Sequence, residues 1–200
     1  MKKGFLAICF AIIVLTNSFA VTYNSDPKIF ITELVNDAMK TLSDKSLSFE
    51  KKSEVIEKIA LENVDIKALG FYTLGEKRKT LSSQDLEKYN GLFEKYLLKS
   101  LTSRLNDYSS NKFEVTGADQ KSSNYTIVNS KMLEGSSSPE VEIKWRVYTK
   151  DPMKPLIRDL IVEGLSLART QKEEFASILS ANNNDINSLF LKLEEFVSKK

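Results

Sequence analysis

Histidine is absent from this 200-residue chain, and whole classes of chemistry go with it. Ser-His-Asp triads, Cys-His dyads and most zinc sites need an imidazole, which is also the commonest general base. Cysteine is almost as scarce. The single one, Cys9, sits in the apolar start of the chain, so a domain that begins after it holds no disulfide and no thiolate nucleophile. An excess of charge of one sign is missing too. Lys+Arg total 29 against 27 Asp+Glu, and removing Lys2 and Lys3 brings 29 down to 27. Without that N-terminal pair the chain is formally neutral, with no overall field to gather nucleic acid, and no such partner is expected.

Long hydrophobic runs are limited to one. Phe5 to Leu15 is almost wholly apolar, follows the two lysines and breaks at Thr16-Asn17-Ser18, short of the about 20 residues that span a bilayer. Ser18-Phe19-Ala20 places small residues where a signal peptidase reads, so residues 1–20 are expected to be a removable signal peptide cleaved after Ala20. Leu6-Ala7-Ile8-Cys9 superficially matches a lipobox, but Cys9 lies in mid-run behind bulky Ile8 with more apolar residues after it, which argues against a lipid anchor. Residues 21–200 then make one domain. A chain of this size buries roughly 70% of the surface it exposes when unfolded, so packing alone can hold it.

Periodicity divides that domain into a helical half (26–109), a sheet (111–164) and C-terminal helices (170–198). Asp26-Pro27 reads as N-cap and first helical residue, with Phe30, Leu34, Ala38 and Leu42 at helical spacing. A second helix is expected over Ser48 to Glu62, and a short third one capped by Asp65 and stopped near Gly75. After Ser82-Ser83 the longest helix is expected from Gln84 to Tyr108, with Leu86, Tyr89, Phe93, Leu97, Leu101, Leu105 and Tyr108 along one stripe that Leu92, Tyr96 and Leu98 broaden. The period then changes to 2. Phe113 and Val115 begin a first strand and Tyr125 to Leu133 makes a second. In the third, Val141, Ile143, Trp145 and Val147 alternate with Glu140, Glu142, Lys144, Arg146 and Tyr148, giving one apolar and one wet face. Leu156 to Glu163 reads as the fourth strand. Thr170 and Glu173 have capping-box spacing for the next helix, and Asp185 caps the last. The expected architecture is α+β: a curved four-stranded antiparallel sheet wrapped by helices. Either its apolar face packs solidly on the long helix, or an apolar cavity lies between them.

Motifs for catalysis are sparse. Asp159 and Glu163 share one side of a strand, where hydrogen bonding or ion pairing is the commoner use of carboxylates. Gly75-Glu76-Lys77-Arg78-Lys79-Thr80 lacks the second glycine and the preceding strand of a phosphate-binding loop, and reads as a charged turn. Asn124-Tyr125-Thr126 formally fits a glycosylation acceptor, with nothing else to support it.

The stretch Asp159-Leu160-Ile161-Val162-Glu163-Gly164-Leu165-Ser166-Leu167, followed by Phe175 and by Asp185-Ile186-Asn187-Ser188-Leu189, resembles the MlaC family of periplasmic phospholipid-binding (toluene-tolerance) proteins. Val64-Asp65-Ile66, Leu69, Leu74-Gly75 and the spacing of Tyr89, Phe93 and Leu97 are similar to the same family's helical half, so the likeness runs from Val55 to Phe196. It departs at Lys77 and Arg78, where the family usually has an aromatic pair, and at Pro155, where a tryptophan is usual. The resemblance implies a monomeric periplasmic carrier, not an enzyme, with no cofactor or metal beyond its glycerophospholipid cargo. Its partners would be an inner-membrane ABC transporter complex and an outer-membrane lipoprotein complex, and its role the maintenance of outer-membrane lipid asymmetry. Candidate tail contacts are Leu69, Leu74, Phe93, Leu97, Leu101, Ile143, Trp145, Val147, Leu160 and Val162. Two other readings stay open: a small-substrate enzyme using Asp159 or Glu163, and a structural adaptor.

Overall fold

Each helix starts where a short polar side chain can satisfy the free N–H groups of its first turn. The Asp26 carboxylate accepts from the backbone of Lys28 and Ile29 at 2.9 and 3.0 Å, opening α1 (Pro27–Ser43), and Ser48 does the same for α2 (Phe49–Asn63) through Lys51. Asp65 caps α3 (Ile66–Leu74). Gly75, at φ 56°, ends it with a backbone turn that only glycine adopts freely, and the charged residues Gly75–Lys79 follow as a 3₁₀ turn. Ser82 caps α4 (Ser83–Thr102). The computed structural model describes residues 22–103, 112–133 and 140–199. The expected signal peptide and the expected extension of α4 to Tyr108 therefore fall outside the described residues. Within them, no helix is long and apolar enough to cross a membrane.

The sheet is antiparallel and sequential: β1 (Phe113–Ser122), β2 (Tyr125–Met132), β3 (Val141–Tyr148), β4 (Leu156–Val162) and β5 (Leu165–Ser166). Five strands replace the expected four. Glu163 and Gly164, at φ 49° and 81°, make a two-residue hairpin turn of the kind that needs positive φ, and the chain doubles back to pair Ile161 with Ser166 and Val162 with Leu165. Ser166 then caps the next helix by accepting from the Arg169 N–H. Hence α5 (Leu167–Ala181) begins before the expected Thr170, whose hydroxyl instead donates to the Ser166 carbonyl. Asn183 and Asn184, at φ 54° and 57°, turn the chain into α6 (Ile186–Ser198), capped by Asp185 as expected.

Two main cores form, beside a smaller one around Leu42 and Ile56. Phe30, Ile31, Leu34 and Val35 of α1 pack on Val128, Val147 and Ile157 of the sheet. Leu74, Tyr89, Phe93, Phe175, Leu189 and Phe190 lead the other, between α3, α4, α5 and α6. The apolar sheet face is thus covered chiefly by α1 and not, as a single solid core would require, by α4.

Candidate functional site

Where the two cores fail to meet, a partly open apolar cleft of about 300 Å³ remains. Leu69 and Thr73 of α3, Phe93, Leu97 and Leu101 of α4, Leu160 of β4 and Leu167 of α5 are among its walls. One wall is stiffened by aromatic packing. The Phe93 ring stacks on Tyr89 at 5.7 Å and meets Phe175 edge-on at 6.4 Å, the offset and T-shaped arrangements that ring quadrupoles favour. Polar groups in that wall are paired. The Tyr89 and Thr73 hydroxyls lie 2.7 Å apart, and Tyr96 donates to Gln171 Oε1 at 2.6 Å. Burial, the largest cause, pushes the phenols of Tyr89 and Tyr96 above the usual tyrosine range.

Five of the ten candidate contacts meet here: Leu69, Phe93, Leu97, Leu101 and Leu160. The other five lie elsewhere. Leu74 is buried in the helical core, and Val147 is fully buried under α1. Trp145 packs beside Val147 and donates its indole N–H to Ser130 Oγ at 2.8 Å. Ile143 and Val162 face each other across β3 and β4, half-buried, and neither is among the cleft's walls. Ala60, Val64, Tyr96 and Ile157 line it in addition. Tyr96 and Val64 carried a sequence signal, through the α4 stripe and the family likeness. Ile157 and Ala60 carried none.

The carboxylates weighed for catalysis hold the backbone instead. Asp159 accepts from Ser166 Oγ at 2.6 Å and from the Ala168 N–H at 3.0 Å, fastening β4 to the start of α5, while Glu163 accepts from the Glu142 N–H. Among the described residues no cluster of His, Cys, Asp and Glu is arranged to hold a metal.

A second pocket, of about 550 Å³, shares the walls Leu69, Asp159 and Ala168 with the cleft and opens on the opposite sheet face. Arg146 and Tyr148, expected on the wet face, help line it together with Tyr125, Arg158, Tyr72 and Arg78. A β-bulge explains the grouping. Arg146 pairs with Asp159 and Val147 with Ile157, leaving Arg158 as the extra residue. Neighbours on a regular strand face opposite ways, but the bulge re-aims Arg158 so that it and Asp159 border one space. Arg158 is held there by Asp65, 2.7 Å from its Nη2, and by the Tyr148 ring, 3.4 Å from its guanidinium carbon.

This fold is similar to that of a solved structure, a phospholipid-binding protein from Ralstonia solanacearum in complex with a phospholipid. The two align with a TM-score of 0.73 at 17% identity, covering 88% of this chain and 97% of that one. At that identity the likeness speaks for the fold. No curated protein sequence matches the chain. The model of the MlaC protein family, by contrast, matches residues 32–195, a span from α1 to the last turn of α6 that takes in both pockets and, apart from Phe30 and Ile31, the buried residues of both cores, and on that match the chain belongs to the MlaC family.

Proposed function

We propose that this protein is a periplasmic phospholipid carrier. The observation that supports it is the apolar cleft left between two cores in a chain of this family. Each acyl CH₂ withdrawn from water is worth about 0.8 kcal/mol, so a two-tailed lipid does not cross an aqueous compartment unshielded. Moving its tails from a bilayer into an apolar cleft exchanges one apolar medium for another, and that step is close to isoenergetic. A carrier of this kind therefore runs without nucleotide, and its partners set direction. On this reading it exchanges lipid with an inner-membrane ABC transporter complex and an outer-membrane lipoprotein complex, and so serves outer-membrane lipid asymmetry. Leu69, Phe93, Leu97, Leu101 and Leu160 are the tail contacts. A cleft of about 300 Å³ stands at the small end of ligand pockets, about 300–1,000 Å³, so a lipid with two long tails widens it on loading.

Mass spectrometry of organic extracts from gently purified mature protein tests the proposal. The expected result is glycerophospholipid at roughly one molecule per chain, retained through a high-salt wash because salt screens charge but does not weaken apolar burial. Protein from a Gram-negative periplasm that yields no lipid would overturn it. N-terminal sequencing of the same material is expected to begin at Val21, and a sequence beginning at Met1 would remove the periplasmic assignment.

A further inference from the structure

We propose that the arginine-lined pocket behind the cleft receives the phosphodiester of the cargo's headgroup, and that it favours headgroups with no cation of their own. This rests on the carrier reading and adds the chemistry of the head to that of the tails. Two adjoining spaces of opposite character, sharing Leu69, Asp159 and Ala168 as walls, match an amphiphile whose anion is joined directly to apolar chains.

The charge balance of the pocket is positive. Arg78, Arg146 and Arg158 stand against one lining carboxylate, Asp159, whose two oxygens already accept from Ser166 and Ala168. Arg158 is tightly paired with Asp65, 2.7 Å away. Arg146 reaches Asp159 at 3.5 Å, and its buried Nε has no hydrogen-bond partner. Arg78 donates to the Phe71 carbonyl at 3.1 Å and forms no ion pair among the described residues. Guanidinium groups with free N–H edges suit phosphate oxygens. The tyrosines sharpen the choice. A quaternary ammonium is held by open aromatic faces, but Tyr125, Tyr148 and Tyr72 each already carry a cation of the protein over the ring: Arg146, Arg158 and Lys172. A choline head would meet like charge where it needs a bare ring.

Lipid-free protein is titrated with dioleoyl phosphatidylglycerol, dioleoyl phosphatidylcholine, dioleoylglycerol and tail-less glycerophosphoglycerol, using wild type, Arg78→Gln and Arg146→Gln. Arg78 is exposed, so its variant keeps the test open if Arg146→Gln fails to fold. Wild type should prefer phosphatidylglycerol over phosphatidylcholine by about tenfold, because the phosphodiester is common to both and only choline brings a second cation among the arginines. Each folded variant should lose most of that preference and bind dioleoylglycerol as wild type does. Equal binding of the two phospholipids by wild type overturns the headgroup assignment and leaves the carrier reading standing. So does a preference that neither variant changes. Glycerophosphoglycerol binding as tightly as its lipid would make this a site for soluble phosphodiesters and overturn it as well. If nothing binds, dioleoylglycerol included, both readings fall.

Discussion

The two cores that flank the cleft are built of different material. Under α1 the filling is mostly aliphatic, with Ile31, Val128 and Val147 wholly shielded on the pleated sheet, where β-branched side chains pack well. Between α3, α4 and α5 a chain of aromatic rings, Tyr89, Phe93, Tyr96 and Phe175, runs through aliphatic residues such as Ile66, Leu74 and Leu179. Aliphatic packing shields Ile31, Val128 and Val147 entirely, whereas the ring cluster forms a firm wall and leaves Leu97 half-buried and Leu101 and Leu167 exposed along the cleft. Apolar residues left open beside a sealed core mark the place where the fold forgoes burial that it has the residues to make.

Ile31→Ala tests the sealed side and should have the largest effect, a loss of about 2–5 kcal/mol in urea unfolding, the usual range for a buried aliphatic truncated to alanine. A loss below about 1 kcal/mol would mean that the sheet core is as loose as the cleft. Next comes Ser130→Ala, which strips the indole of Trp145 of its acceptor and should cost about 1–3 kcal/mol in the same assay, with the slope against urea unchanged. An unshifted midpoint would place water on that N–H. Alkaline titration compares the sides again. Burial first, and Asp37 second, raise Tyr23 on the sheet side to about 12, and burial raises Tyr89 on the helical side. The unfolded chain therefore releases these protons first, near pH 10. Stability is full below about pH 10 and falls as pH climbs through the folded values, so Tm measured against pH should drop there, and Tyr89→Phe should soften the fall. The smallest change in stability belongs to Leu97→Trp, which adds volume facing open space. Overpacking a filled core costs about 1–3 kcal/mol. Here the cost should stay below about 1 kcal/mol while retained lipid drops, and a destabilised variant that kept its lipid would show the cleft to be ordinary core.

Local chemistry made most of the fold legible. Asp26, Asp65 and Asp185 cap the helices they were expected to cap because the interaction spans only a few residues. The alternation of β3 survives in its pairing with both neighbours. Less visible was anything decided by which element covers which. Val147 and Trp145 look like ligand contacts in sequence, and only the docking of α1 on the sheet takes them out of the cleft's walls. The short β5 escaped notice because two paired residues make no periodic pattern, and its turn displaced the start of α5 from Thr170 to Leu167. Arg146 and Tyr148 read as solvated because nothing in Leu156 to Val162 announces a bulge, so the gathering of Arg158 beside them appears only in three dimensions.

The close approach at Gly70 has a mechanical consequence. A Cβ at that position would stand 3.0 Å from Phe93 Cδ1 and 3.4 Å from Tyr89 Cε1, so α3 and α4 touch almost backbone to ring, and the hydroxyl pair of Thr73 and Tyr89 pins them further. Joined along this spine, the two helices present one wall to the cleft. On the carrier reading, a cargo that needs more room would part the cleft along its other edge, at Ala60, Val64 and Leu160, where no ring stack is found among the described residues.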